Sequence, residues 1–242
     1  MKQQTWKMVE DLDPESYECF IPFGPLVYKG DIRGEFLNFL LEHLDSVRSN
    51  TTDMRSYLVG NIKEQKSAEF PIRRFCDLVR PHVVNYLKGT YDREIATDRC
   101  CKEGKQADKF LDPTEHKINF NLGDGPWVNF AAMNEFNPMH NHNGIISAVA
   151  FLDIPEELEK ERDTNGFEFK AAGCLDIVHD NQHAVIHPKT GNMYLFPSYM
   201  WHMVYPYHSD VERISMSFNV TEVRFDRMQM SGPPPGGLAN YH

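Results

Sequence analysis

Residues 137–144, Asn-Pro-Met-His-Asn-His-Asn-Gly, decide the fold, and they run directly into the apolar segment 145–152. One residue separates His140 from His142. In an extended chain, residues i and i+2 point to the same face, about 7 Å apart along the strand. Two imidazoles placed in this way can bind one metal ion, and a strand with such a pair at the mouth of a barrel suits a mononuclear site. Taken alone, the pair is a moderate signal, and it is also compatible with two polar residues at the entrance of a strand.

A second group of motifs follows about 60 residues later. An apolar segment at 192–196 ends in a Pro-Ser break, and His202 comes shortly after it. A further segment then alternates polar with apolar residues: Arg213, Ser215, Ser217 and Asn219 against Ile214, Met216 and Phe218. A polar row where a core-facing row is expected indicates a ligand pocket. A buried guanidinium there needs an anionic partner, because an unpaired buried charge is costly.

From Lys117 onward, short apolar or alternating segments are separated by turn residues. They predict strands at 117–122, 127–136, 144–152, 166–170, 183–187, 192–196, 202–206 and 211–222. About eight short strands in one stretch are typical of a β-sandwich or jelly roll. The sequence therefore predicts a mainly β core in the second half of the chain.

The first half of the chain predicts helices. Residues 1–30 indicate an extended lead-in, since prolines and a glycine interrupt them. Apolar spacing predicts one helix at 31–48 and another at about 70–87, which Pro81 should kink or divide. Residues 91–117 are polar and predict a loop or irregular hairpin. The apolar stripes of both helices are expected to pack against the core.

Composition excludes some classes of function. The net charge is −10, from 35 acidic and 25 basic residues, and no Lys/Arg-rich run is present, which argues against a nucleic-acid substrate. The apolar runs are far shorter than the roughly 20 residues of a membrane span, and no apolar segment of a signal peptide follows Met1. The five cysteines form no C-x-x-C pair, and bridging Cys100 to Cys101 would be strained. We expect a cytoplasmic protein with reduced thiols.

The motifs taken in order resemble the 2-oxoglutarate/Fe(II) oxygenases related to the prolyl-hydroxylase branch. They are H-x-H at 140–142, G-x-x-x-L-F-P-S at 191–198, H-x-V-x-P at 202–206 and E-R-I-S-x-S-F-N at 212–219. The resemblance covers roughly residues 117–222 and, more loosely, 20–45. Its specificity lies in the ordered set, and above all in the eleven-residue step from His202 to Arg213.

The resemblance implies the fold and its division along the chain. The expected fold is mainly β with flanking helices, a double-stranded β-helix (jelly roll) with N-terminal helical support. A single oxygenase domain is expected over 1–225, with a helical part at 1–116 and the jelly-roll core at 117–222. Residues 226–242 are rich in Gly and Pro and are expected to form a flexible tail.

The resemblance also implies the roles of site residues. Iron(II) would lie at the open end of the barrel, bound by His140 and His202. Arg213 would pair with the far carboxylate of 2-oxoglutarate, since its planar fork matches both oxygens, and Ser215 would add a hydrogen bond. Two further residues are candidate hydrogen-bond donors of the pocket wall, namely Asn129 and Tyr194.

The third iron ligand departs from the pattern of the wider superfamily, which has a carboxylate two residues after the first histidine. That position is His142 here. We favour His142 as the third ligand. The three histidine ligands would be neutral, so the metal site would carry one more positive charge than a site with a carboxylate ligand. Asp153 and Glu168 stay as alternative carboxylate ligands, although neither lies at the expected offset.

The implied activity is that of an Fe(II)- and 2-oxoglutarate-dependent dioxygenase, a hydroxylase that consumes O2 and hydroxylates a C–H bond. The prime substrate is peptidyl or a small molecule, and the segments 91–117 and 153–165 are candidate lids that select it. A homodimer is compatible with the sequence. Two alternatives stay open: a cupin-like metalloenzyme that does not use 2-oxoglutarate, and a non-catalytic jelly-roll binding protein. The cupin-like enzyme would not require Arg213 and Ser215. The non-catalytic protein would not require three histidines and an arginine at one mouth of the barrel.

Overall fold

A computed structural model of the chain describes residues 17–20, 24–49, 52, 54, 60–101, 117–163, 170–225 and 228–230. The helices within these residues are α1 (Glu35–Glu42), α2 (Leu44–Ser49), α3 (Ile72–Cys101) and α4 (Glu156–Asp163). The strands are β1 (Tyr17–Phe20), β2 (Val27–Asp31), β3 (Glu64–Ser67), β4 (Ile118–Asn121), β5 (Trp127–Ala131), β6 (Asn137–His140), β7 (Ile146–Asp153), β8 (Leu175–His179), β9 (Gln182–Ile186), β10 (Asn192–Pro197), β11 (Trp201–Val204), β12 (Arg213–Val220), β13 (Glu222–Phe225) and β14 (Met228–Met230).

The strands form a major sheet, a minor sheet and a short additional sheet. The major sheet has the order β1-β2-β10-β7-β12-β5-β3, the minor sheet β6-β11-β8-β9, and the third sheet β14-β13-β4. Neighbouring strands are antiparallel in all three sheets. Apolar side chains from both larger sheets pack into one cluster, which contains Val149 and Phe196 from the major sheet and Leu175 and Ile177 from the minor sheet. The two sheets therefore face each other as in a double-stranded β-helix, which confirms the predicted fold.

The helices cover the outer face of the major sheet. Phe75 of α3 is fully buried, and its ring meets that of Phe218 of β12 edge-on at 5.6 Å between centroids. Phe36 of α1 contacts Phe75 at 5.9 Å. On β12 the apolar residues face these helices, because Met216 and Phe218 belong to the helix-facing core. The predicted N-terminal helical support is confirmed.

Two helix predictions are wrong in detail. The helix expected at about 70–87 is not divided at Pro81, and it continues to Cys101 into the segment expected to be a loop. A proline inside a helix costs about 3 kcal/mol, but Phe75 and Val83, on either side of it, are both fully buried. Packing against the sheet thus outweighs the local cost. Residues 91–101 contain no Gly or Pro that would end the helix; residues 102–116 lie outside the described residues.

The helix expected at 31–48 is broken into α1 and α2 at His43. The His43 ring bonds the carbonyl of Phe39 through Nδ1 at 2.7 Å, and its backbone N–H donates to Leu40, three residues back. This tight turn ends α1, and the chain restarts as α2. Within the candidate lid at 153–165, residues 156–163 form the short helix α4.

Several strand predictions also need correction. The strand expected at 127–136 ends at Ala131, because a turn follows in which Asn134 has φ of 63° and Glu135 accepts the backbone N–H of Ala132. The lead-in at 1–30 supplies β1 and β2, which join the major sheet beside β10. Of the strand expected at 166–170, only Lys170 is described, and it lies in a turn. In the predicted tail, residues 228–230 form β14, and the rest lies outside the described residues.

The described helices include none that is both long enough and apolar enough to cross a membrane.

Candidate metal and co-substrate site

Two strands of the minor sheet place two histidines face to face. β6 and β11 are paired so that His140 lies directly opposite His202, and their ring centroids are 4.3 Å apart. Both side chains point into the space between the two larger sheets, where His202 is buried and His140 is partly buried. Neighbouring antiparallel strands thus bring together residues that are about 60 positions apart in the sequence.

His142 reaches the same point from a loop. The sequence argument assumes an extended 140–142, whereas β6 ends at His140. The backbone N–H of His142 donates to the carbonyl of Ser198 at 2.9 Å, which fixes the chain just beyond the strand. Its ring lies 4.9 Å from that of His140 and 5.1 Å from that of His202. One ring nitrogen from each of these residues lies within 4.8 Å of the others, so the three can hold one metal ion.

Backbone carbonyls select the nitrogen that each strand histidine presents. Nδ1 of His140 donates to the carbonyl of Pro138 at 2.7 Å, and Nδ1 of His202 donates to that of Met200 at 3.0 Å. The proton therefore sits on Nδ1, and Nε2 is the unprotonated nitrogen that can bind a metal. Such an outer hydrogen bond orients the ring and makes the ligand more basic.

Burial also keeps the three rings neutral. It lowers the pKa of His202 to about 3 and that of His142 to about 4, with a further lowering from the neighbouring histidines. Burial lowers the pKa of His140 as well. A metal binds only the deprotonated imidazole nitrogen, so the three side chains are in the ligating form at neutral pH.

Arg213 lies in the same cavity, whose volume is about 380 Å³. Only 2% of the residue is exposed, and burial lowers the pKa of its guanidinium to about 10. Nη1 contacts Ser215 Oγ at 3.4 Å, whereas Nε and Nη2 have no hydrogen-bond partner among the described residues. Two unpaired buried donors are expensive, and a ligand carboxylate placed between them would remove that cost.

The polar face of β12 lines this cavity, as its alternation predicts. Ser215, Ser217 and Asn219 all border it together with Arg213. Asn129 of β5 borders it too, and its amide hydrogen-bonds with that of Gln65 at 2.7 Å.

The other candidates lie elsewhere. Tyr194 packs in the cluster between the sheets, with its ring 6.0 Å from that of Phe151, and does not border the cavity. Asp153 is exposed at the end of β7 and takes no part in the histidine cluster. Glu168 lies outside the described residues.

The bordering residues that sequence reasoning missed include Gln65, Trp127 and Asn137. The Trp127 ring meets that of His142 at 5.9 Å. Asn137 stands in the same stretch as His140, three residues before it, so its position was a usable signal. Gln65 lies in a short polar strand, Glu-Gln-Lys-Ser, which has no local signature of a β-strand.

Comparison with known proteins adds to this geometry. Residues 125–219 match the family model described as "Putative 2OG-Fe(II) oxygenase". This segment contains the three histidines, Arg213, Ser215 and Asn129. No curated protein sequence matches the chain.

Among solved structures, a prolyl-4-hydroxylase from Pseudomonas putida is 14% identical, with 81% of this chain and 91% of that chain covered and a TM-score of 0.40. A prolyl hydroxylase from Trichoplax adhaerens, in complex with a hypoxia inducible factor peptide fragment, is 15% identical, with coverages of 81% and 83% and a TM-score of 0.41. An oxidoreductase of the 2OG-Fe(II) oxygenase family from Burkholderia pseudomallei is 12% identical, with coverages of 86% and 73% and a TM-score of 0.37. Likenesses of this size carry no information about substrate.

The family match lies over the strands that carry the histidine cluster and Arg213, whose Nε and Nη2 have no partner among the described residues. Residues 125–219, less than half of the chain, are thus similar to the 2OG-Fe(II) oxygenase family, and this similarity supports an iron(II)- and 2-oxoglutarate-dependent oxygenase.

Proposed function

We propose that His140, His142 and His202 are the iron(II) ligands of this oxygenase. The observation that carries the proposal is the convergence of one nitrogen from each ring within 4.8 Å. Imidazole nitrogen suits iron, and three facial ligands leave three positions for co-substrate and O2. The iron, when bound with 2-oxoglutarate, supplies the oxidising power for hydroxylation of a C–H bond.

Arg213 and Ser215 are the proposed anchor of 2-oxoglutarate. The guanidinium presents Nε and Nη2 to the cavity without partners among the described residues, and Ser215 Oγ lies 3.4 Å from Nη1. A carboxylate accepts two parallel N–H bonds from such a fork. The ring of Phe151 lies 5.2 Å from the Arg213 guanidinium carbon and limits its movement. The arginine would thus hold one carboxylate of the co-substrate in the cavity that the three histidines also border.

Asn129 is a proposed pocket-wall contact, because its amide borders the cavity and is held by that of Gln65. Tyr194 is a weaker candidate, since its ring packs between the sheets. The prime substrate is proposed to be a small molecule or a peptidyl side chain. A cavity of about 380 Å³ lies near the lower end of ligand sites and suits the co-substrate with a short substrate group.

The domain limits, location and assembly also stay proposals. A single oxygenase domain over 1–225 is supported by the lead-in strand β2, which pairs with β10 inside the major sheet. A cytoplasmic setting fits the free thiols of Cys76 and Cys174. The net charge of −10 disfavours nucleic acid as a partner. A homodimer is compatible with these features.

The experiment is anaerobic addition of iron(II) and 2-oxoglutarate to metal-free protein, followed by visible absorption. We expect a charge-transfer band from the chelate, and succinate production once O2 is admitted. Metal binding without a band would favour a metalloenzyme that does not use 2-oxoglutarate. A protein that binds no metal at all would contradict the proposed centre.

A further inference from the structure

A fourth side chain points at the histidine cluster. The Nδ2 atom of Asn137 lies 3.2 Å from Nε2 of His140, which is the nitrogen left free for a metal. The other end of the same amide, Oδ1, is buried and has no hydrogen-bond partner among the described residues. Asn137 also borders the cavity. One end of this amide therefore faces a metal ligand while the other end is unsatisfied.

The distance of 3.2 Å has a simple geometric meaning. Ligand atoms at about 2.1 Å from a metal, on adjacent positions of an octahedron, lie about 3.0 Å apart. The terminal atom of Asn137 is thus placed relative to His140 as a neighbouring ligand atom would be. A hydrogen bond on the Nε2 lone pair and a metal on the same lone pair exclude each other. The amide must therefore turn or withdraw when a metal binds.

Rotation of the Asn137 amide is a smaller movement than its withdrawal from the cavity. The nitrogen and oxygen of an amide occupy nearly the same space, and rotation by about 180° exchanges them. In the orientation described, Nδ2 donates to His140 and Oδ1 is unsatisfied. In the turned orientation, Oδ1 faces the position that the histidines share. An amide oxygen is a hard neutral donor that divalent cations accept.

A neighbouring loop holds the amide in place. A Cβ added at Gly60 would lie 2.7 Å from Asn137 Oδ1 and 2.6 Å from the carbonyl of Phe136. The backbone N–H of Asn61 donates to that same carbonyl at 2.9 Å. Only a residue without a side chain permits this approach, so the loop at 60–61 lies against β6 and limits how far the amide can withdraw.

We infer that Asn137 is a fourth, displaceable ligand of the metal, through Oδ1. The inference rests on the proposed three-histidine centre and extends it. Three histidines and an amide leave two of six octahedral positions, which is enough for a chelating 2-oxo acid but not for O2 as well. A neutral and weak donor suits a position that must be vacated. The amide thus closes one position of the metal until the co-substrate is bound.

The test is a titration of metal-free protein with cobalt(II), followed by its visible absorption bands, without turnover. We expect Asn137→Ala to weaken cobalt binding about ten-fold or more, as loss of a metal-orienting partner does, and to change the band shape. Asn137→Asp should bind cobalt more tightly than wild type, because a carboxylate replaces the amide oxygen. Gly60→Ala, which displaces the amide without removing it, should weaken binding in the same direction.

Asn141→Ala is the matched control, since Asn141 adjoins His140 but directs its amide at the Tyr199 carbonyl, 3.5 Å away. Its cobalt affinity and spectrum should equal those of wild type. Unchanged binding in Asn137→Ala and Gly60→Ala would overturn the inference and leave the three-histidine centre standing. Tighter binding in Asn137→Ala would overturn it too, because the amide would then only compete with the metal. Wild-type protein that binds no cobalt would overturn both proposals.

Discussion

His140 and His202 lie directly opposite each other on β6 and β11, with ring centroids 4.3 Å apart. Each ring is fixed by its own Nδ1 hydrogen bond to a backbone carbonyl. The sheet thus arranges the pair before any ligand binds, so little conformational entropy is lost in ordering the two rings when a metal binds. The register of two strands decides the geometry of the site.

The first prediction concerns the histidines. His202→Ala should weaken cobalt(II) binding by more than the roughly 10–100-fold typical of an outer-shell partner, because it removes a ligand nitrogen. His142→Ala should have a similar effect if the loop histidine binds the metal. His208→Ala serves as the control, since His208 is exposed and bonds Asn134. Full cobalt affinity in His142→Ala would direct the search for the third ligand to another residue, such as Glu168, which lies outside the described residues.

The second prediction concerns Arg213, which the fold buries with two donors unpaired among the described residues. Without 2-oxoglutarate, Arg213→Met should be as stable as wild type or about 1–3 kcal/mol more stable, because an apolar side chain avoids the desolvation of a buried charge. In wild type already loaded with metal, adding 2-oxoglutarate should raise the melting temperature further, since it binds only the folded state. In the variant this rise should disappear.

Arg213→Lys separates charge from shape. A lysine keeps the positive charge but cannot form two parallel bonds to a carboxylate. We expect weaker 2-oxoglutarate binding than in wild type, measured by calorimetry with the cobalt-loaded protein. Wild-type affinity in Arg213→Lys would show that charge alone suffices, and wild-type affinity in Arg213→Met would exclude Arg213 as the anchor.

The pocket face of β12 could be predicted from sequence because strand periodicity is local. Arg213, Ser215, Ser217 and Asn219 alternate with apolar residues, and that period alone places them on one face. The three histidines could also be identified from the sequence, because two stand in one short motif and the third follows an apolar strand. The family resemblance supplied their roles.

The remaining features depend on long-range packing. β3 has no apolar pattern, and it joins the sheet only because β5 offers an edge, so Gln65 could not be placed in the cavity. The length of α3 depends on burial of Phe75 and Val83 on either side of Pro81. The role of Asn137 follows from a distance to His140 that three residues of sequence do not determine.

The third prediction tests whether α3 supports the sheet. Phe75 is fully buried and its ring meets those of Phe218, Phe70 and Phe36. Phe75→Ala should lower the free energy of unfolding by about 3–5 kcal/mol, the usual cost of emptying such a site. Ile72→Ala lies on the same helix, but Ile72 is 50% exposed, so its cost should stay within about 1 kcal/mol. Urea unfolding measures both, and equal effects would contradict the packing described.

The fourth prediction concerns His82 of α3, whose Nδ1 lies in a hydrogen bond with the hydroxyl of Tyr28 at 2.7 Å. Burial lowers the pKa of His82 from 6.5 to about 4, although Asp31 opposes the shift. His82 is therefore protonated below about pH 6.5 in the unfolded chain, but only below about pH 4 in the folded protein. The contribution of His82 to the free energy of unfolding is therefore complete above pH 6.5 and is lost as the pH falls from 6.5 to about 4.

Between pH 7 and pH 5, the expected loss from His82 is about 2 kcal/mol, from 1.36 kcal/mol per pKa unit. The measurement is urea unfolding of metal-free wild type and His82→Gln at both pH values. The cavity histidines also have lowered pKa values and lose stability with the same sign, but they are present in both proteins, so the difference isolates His82. His82→Gln should therefore be less stable than wild type at pH 7 yet lose less stability on acidification. An equal loss in the two proteins would mean that His82 is protonated as readily in the folded state as in the unfolded chain.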